Sequence, residues 1–142
     1  MSYSNSIKGA SQYKQVGDQT GVESASPHRL IQMLLEGALE KINLANGYMQ
    51  RGDIALKGTH ISWAISIIDG LRMSLDKESG GEIADNLDAL YDYMGRRLVE
   101  ANLKSDPVIL KEVTGLLLEI KYAWDAIPGI INKQNSSVLP VI

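Results

Sequence analysis

"SASPHRLIQMLLEGALEKINLANGYMQRGD", residues 24–53, holds a helix start, a helical stripe, a stop and a second start. Ser26 is a good N-cap, and Pro27 suits the first helical position because its missing N–H is not needed there. Leu30, Met33, Leu34, Ala38, Ile42, Ala45 and Met49 then recur at helical spacing. Arg51-Gly52-Asp53 ends the pattern, with Gly52 as the C-terminal stop and Asp53 as the next N-cap. A helix that stops and restarts within three residues must fold back on its successor.

The same grammar repeats downstream. The spacing predicts a second helix from about Ile54 to Lys77, with the stripe Ile54, Ile61, Ala64, Ile65, Ile68 and Leu75. "ESGGE" (78–82) breaks it, and a third helix follows from about Glu82 to Leu103. In "SDP" (105–107), Asp106 caps a fourth helix and Pro107 opens it. That helix carries Ile109, Val113, Leu116, Leu117, Ile120, Ala123, Trp124 and Ile127, and Pro128-Gly129 is predicted to end or kink it. Short connections force antiparallel neighbours, so the expected fold is all-α, an antiparallel up-down-up-down four-helix bundle over residues 25–132. Residues 1–24, rich in Ser, Gly, Gln, Asn and Lys, are expected to form a mobile arm with one short helical turn. Residues 133–142 are expected to form a polar tail.

Composition narrows the function. The chain has 142 residues, 44% hydrophobic and 22% charged, which suits one globular domain with a real core. It has no cysteine, which removes disulfides and thiolate metal sites and fits a reducing compartment. A net charge of -3 with scattered Lys and Arg argues against nucleic acid and anionic lipid. No stretch approaches the roughly 18 apolar residues of a membrane span, and the first residues lack the apolar core of a secretory signal. The expected location is the cytoplasm.

No catalytic or metal site emerges. There are two histidines, His28 and His60, and no Glu is followed three residues later by His, as a di-metal bundle would need. Ser26 and His28 resemble a nucleophile and base, but both sit at a helix start where capping explains Ser26. The "RGD" motif is explained by its turn. No catalytic residue, metal or cofactor is therefore expected.

Surplus apolar surface is the positive signal. On a helical wheel, Ile83, Leu87, Leu90, Met94, Leu98 and Ala101 form the core arc of the third helix, with Tyr91 at its edge and Tyr93 on a shoulder. Tyr91 and Tyr93 are two residues apart, so a helix turns them roughly 200° away from each other. Leu56, Trp63, Ile67 and Leu71 form a second strip beside the core stripe of the second helix. These residues belong either to a wide core or to a groove for another protein's helix or strand. Gly37, Gly47, Gly58, Gly70, Gly95 and Gly115 fall inside predicted helices, each costing roughly 1 kcal/mol against Ala. Close helix approach or easy opening of the bundle would account for them.

"ASPHRLIQMLLEGAL" (25–39), "GD...KG..IS.AI.IID.L" (52–71), "GGEIADNLDALYDYMGRRLVEAN" (80–102) and "EVTGLLLEIKYAWDAI" (112–127) resemble the flagellin-specific export chaperones of the FliS family. The resemblance covers about residues 13–127. It implies a four-helix bundle with a short N-terminal helix folded over it, and no enzymatic activity. It further implies that the disordered C-terminal segment of flagellin wraps around the bundle in hydrophobic grooves. Capture would stop premature polymerisation and hold the subunit for the type III export apparatus. The groove residues expected are Leu56, Trp63, Ala64, Ile67, Leu71, Tyr91, Tyr93 and Met94. The N-terminal arm, through Ile7, Ala10, Tyr13 and Val16, is expected to cover a groove and dock on the cytoplasmic domain of the export gate. "YKQV" (13–16) matches the family's N-terminal Tyr-x-x-Val, but Ala10 stands where the family often has Ile. Trp63 stands where it commonly has Lys, which enlarges the apolar strip. Some members form homodimers, so a homodimer in the absence of flagellin is a further expectation. The competing reading is a homodimeric structural or adaptor bundle with no flagellin role.

Overall fold

The computed structural model of the protein describes residues 25–134, with side chains through Ile127. The expectations for residues 1–24 and 135–142, including Ile7, Ala10, Tyr13 and Val16, lie outside the described residues. Four helices are present: α1 (Pro27–Gln50), α2 (Ile54–Met73), α3 (Lys77–Lys104) and α4 (Pro107–Gln134), with no strand among the described residues. α1 packs on α2, α2 on α3, α3 on α4, and α4 returns to α1. The α1–α2 seam is the most extensive and the α3–α4 seam the least. This closed ring of antiparallel neighbours is the four-helix bundle expected from the short connections.

Three caps are where the sequence puts them. Ser26 is extended (φ -64°, ψ 160°) and its Oγ accepts from the Arg29 N–H at 3.1 Å. Asp53 accepts from the Leu56 N–H at 3.1 Å, and Asp106 from the Val108 N–H at 2.9 Å. Gly52, at φ 74°, supplies the left-handed turn between α1 and α2.

The second junction differs from expectation. α2 ends at Met73, and the Ser74 hydroxyl donates to the Leu71 carbonyl at 2.7 Å. Asp76 then caps a single turn through the Ser79 N–H at 3.0 Å. Gly81 (φ 53°, ψ -127°) kinks the chain before the long run of α3. The glycine break is real, but it lies inside α3 rather than between helices. At the other end, α4 continues through Pro128-Gly129 to Gln134 instead of ending there.

The core is built from Leu35, Ala38, Ile42 and Ala45 of α1, and Ile61, Ala64, Ile67, Ile68 and Leu71 of α2. Tyr91, Met94, Leu98 and Ala101 of α3 join Ile109, Leu110, Val113, Leu117 and Trp124 of α4. Each large aliphatic side chain buried this way contributes about 1.5–3 kcal/mol. Lys57 lies among them, 4% exposed, with Nζ donating to the Asn102 carbonyl (2.9 Å) and the Ser105 hydroxyl (2.7 Å). It ties the start of α2 to the end of α3. Ile54 and Ile83, placed in the core by sequence, are 73% and 56% exposed.

Candidate functional site

A groove opens along the α3–α4 seam of the bundle. Ile83, Leu87 and Tyr91 of α3 face Ile120, Ala123, Trp124 and Ile127 of α4, over a floor of Ile31, Leu71 and Leu75. The cavity holds about 420 Å³, and among the described residues its lining is apolar or aromatic except for Ser74 and Glu119. Along α3 the lining runs from Ile83 to Tyr91, eight residue steps and about 12 Å of rise, so it matches roughly two turns of a guest helix.

Polar contacts set where the seam opens. The Tyr93 hydroxyl donates to Glu112 at 2.6 Å, and Arg97 Nε donates to the other Glu112 oxygen at 2.7 Å. These donors hold the Glu112 carboxyl below its usual range. They latch α3 to α4 on one side of the groove. On the α2 side, Arg72 bridges Asp88 (2.9 Å) and Asp92 (3.3 Å).

Trp124 forms a fixed wall. Its indole N–H donates to the His28 carbonyl at 2.9 Å, and its ring stacks on the His28 imidazole at 4.8 Å and 8°. His28 thus serves packing. Ser26 spends its oxygen on the cap, so the two do not form a nucleophile–base pair. His28 Nε2 is buried without a hydrogen-bond partner among the described residues. Tyr91 is the inner wall, and burial pushes its hydroxyl up to about 12. Its other side borders a depression of about 200 Å³, lined also by Ile65, Asp69, Gly95 and Val99.

A separate apolar surface lies on the α1–α2 face. Tyr48, His60 and Trp63 form a ladder with ring centroids 4.9 and 6.0 Å apart. Lys41 Nζ sits 3.9 Å from the Trp63 ring centroid, and the Arg51 guanidinium 4.8 Å from that of Tyr48. Leu44 and Leu56 are exposed beside them.

The sequence-predicted groove residues therefore separate. Leu71 and Tyr91 line the α3–α4 groove, while Leu56 and Trp63 are exposed on the α1–α2 face. Ala64, Ile67 and Met94 are packed in the core, as expected of the Ala64 stripe and the Met94 arc but not of Ile67, which the sequence put on the second strip. Ile67 is buried because the buried face of α2 runs through Lys57, Ile61, Ala64, Ile67, Ile68 and Leu71. Tyr93 is half-buried and engaged by Glu112. Sequence reasoning missed the groove itself, because Leu87, Ile120, Trp124 and Ile127 read as ordinary core. The Gly80-Gly81 pair, which turns the start of α3, was the available signal.

The described residues contain no cluster of three His, Asp or Glu side chains able to hold a metal. None of their helices is long and apolar enough to cross a membrane. The family model described as "Flagellar protein FliS" matches residues 9–130. The chain belongs to the FliS family. A flagellar secretion chaperone of Pseudomonas aeruginosa is 53% identical over 121 residues, covering 85% of this chain and 96% of that protein. The FliS chaperone of Salmonella typhimurium is 50% identical, covering 90% of this chain and 96% of its own. That of Vibrio cholerae is 45% identical, covering 82% and 85%. FliS proteins are flagellar chaperones rather than enzymes.

Proposed function

We propose that this chain binds the disordered C-terminal segment of flagellin in the cytoplasm, prevents its premature polymerisation and delivers it to the flagellar type III export apparatus. The observation that carries this reading is the apolar α3–α4 groove, sized for two helical turns and walled by rigid Tyr91 and Trp124. A chain that folds on binding needs preformed apolar surface to offset its ordering, and such a groove supplies it. Leu56 and Trp63 give the wrapping segment a second contact, and Tyr93 a rim contact. Residues Ile7, Ala10, Tyr13 and Val16 cover the groove in the free chain and dock on the export gate. The relatives are named as secretion chaperones, which supports an export substrate as the partner.

Calorimetric titration of the full chain with a flagellin C-terminal peptide tests the reading. Stoichiometric binding at micromolar concentration, a gain in helicity and a strongly negative heat-capacity change are expected. Ala123 is exposed on the groove wall. Ala123→Asp is expected to weaken binding at least 100-fold, with the melting temperature within about 2 °C of the native value. No binding by the native chain overturns the proposal. Light scattering addresses the homodimeric adaptor alternative, which requires a dimer indifferent to the peptide.

A further inference from the structure

We infer that Glu119 selects a basic residue in the segment that fills the α3–α4 groove. This inference rests on the peptide-binding reading of that groove. Glu119 is the only charged residue of the lining among the described residues. Ser74, also in the lining, already donates its hydroxyl to the Leu71 carbonyl. Among the described residues no Lys or Arg lines the groove to answer a guest carboxylate.

The other described acids of α4 are engaged. Glu112 accepts from Tyr93 and Arg97, and Asp125 accepts from Lys121 at 2.6 Å and Gln32 at 2.7 Å. Glu119 has neither an ion pair nor a side-chain hydrogen bond among the described residues. The Tyr93–Glu112 bond fixes the antiparallel register of the two helices and places Glu119 near the level of Leu87. The carboxylate therefore stands on the α4 rim partway along the groove, one residue from Ile120.

Filling the groove strips water from one side of this carboxylate. An apolar or acidic guest residue there leaves it poorly solvated, which is costly. A Lys or Arg of the guest avoids that cost, because its methylenes can lie along Ile120 and Ala123 while its head reaches Glu119. The guest chemistry is thus an amphipathic segment of about two helical turns, apolar toward the floor, with a cation on the side facing α4.

The test is the same calorimetric titration, using the full chain and the flagellin C-terminal peptide, at about 50 and 300 mM salt. A rim ion pair is modest, so Glu119→Gln is expected to weaken binding about two- to fivefold and to flatten its salt dependence. Glu119→Lys is expected to weaken it about tenfold or more. A peptide with its matching basic residue changed to Glu is expected to recover most of that loss on the Glu119→Lys protein. Glu119 is exposed, so circular dichroism should show an unchanged fold in both variants. Native binding that Ala123→Asp abolishes and Glu119→Lys leaves intact at low salt overturns this inference while the groove reading stands. Failure of the native chain to bind overturns both.

Discussion

Replacing Lys57 with Met keeps the length of a buried side chain and removes its charge. Lys57 is 4% exposed, and its Nζ bonds to the Asn102 carbonyl and the Ser105 hydroxyl have lengths of 2.9 and 2.7 Å. Asn102 is in the last turn of α3, where carbonyls lack intrahelical partners, so Lys57 supplies a donor that the helix does not. Hydrogen bonds from a charged group are worth about 1.5–3 kcal/mol each. Met recovers part of this because no ammonium must be taken out of water. It also leaves two partly buried acceptors without their donor, at about 1–3 kcal/mol for each unsatisfied group. The net expectation is a loss of about 2–3 kcal/mol. In urea unfolding followed by circular dichroism, the midpoint should fall by roughly 1 M with an unchanged slope. Ser105 is left-handed at φ 48° and stays so as Ala, so Ser105→Ala removes the hydroxyl without changing that constraint. In the double variant the two losses should be less than additive by about 1 kcal/mol. A loss below about 0.5 kcal/mol for Lys57→Met would refute the view that this lysine braces α2 against α3.

Ile67→Ala should cost about 2–4 kcal/mol, because Ile67 is 3% exposed, whereas Leu56→Ala and Trp63→Ala should change the unfolding midpoint little. Comparable losses at all three positions would contradict the division of that strip into core and surface. Gly95→Ala and Gly115→Ala should each stabilise the free chain by roughly 1 kcal/mol, since an added Cβ meets no atom within 4 Å at either site. A lower melting temperature would refute this. Burial raises the Tyr91 hydroxyl to about 12, so its contribution is intact below pH 10 and is lost as pH rises through about 12. Alkaline unfolding should therefore cost up to about 2.7 kcal/mol from this residue, and Tyr91→Phe should flatten the stability profile above pH 10.

The sequence revealed the bundle because its helix starts and stops are local chemistry. Ser26, Asp53 and Asp106 act within a few residues of themselves, and so does Gly52. Stripe orientation was harder to read, and Lys57 shows why. The sequence stripe shares Ile61, Ala64 and Ile68 with the buried face but runs through Ile54, Ile65 and Leu75 where the structure buries Lys57, Ile67 and Leu71. That rotation moved Ile67 and Leu71 onto an apparent second strip. In α3, Tyr91 lies inside the core arc and Ala84 replaces Ile83, because the helix enters after the Gly81 kink. The groove was invisible for a different reason. Leu87, Ile120, Trp124 and Ile127 have the spacing of core residues whether the seam between α3 and α4 is closed or open. Only the three-dimensional separation of those helices distinguishes the two cases. The helix glycines are likewise not explained by close packing at Gly70, Gly95 and Gly115, where a Cβ would meet open space.

The size of the groove also limits what it can do alone. A guest helix of two turns orders about seven residues, at roughly 1–2 kcal/mol each for the backbone, or about 7–14 kcal/mol in total. Three apolar anchors seated between α3 and α4 return about 1.5–3 kcal/mol each, near 5–9 kcal/mol. The groove therefore falls short of holding an initially disordered segment without further contacts. The exposed apolar side chains outside it become relevant for that reason: Leu44, Leu56 and Trp63 on the α1–α2 face, and Val99 beside the second depression. The Trp63 ring is already packed under Lys41 and next to His60, so it offers area with little motion left to lose. A segment reaching from the groove to this ladder gains anchors for each added residue it orders. Shortening the guest to its groove-binding turns should then weaken binding sharply even though every groove contact is retained.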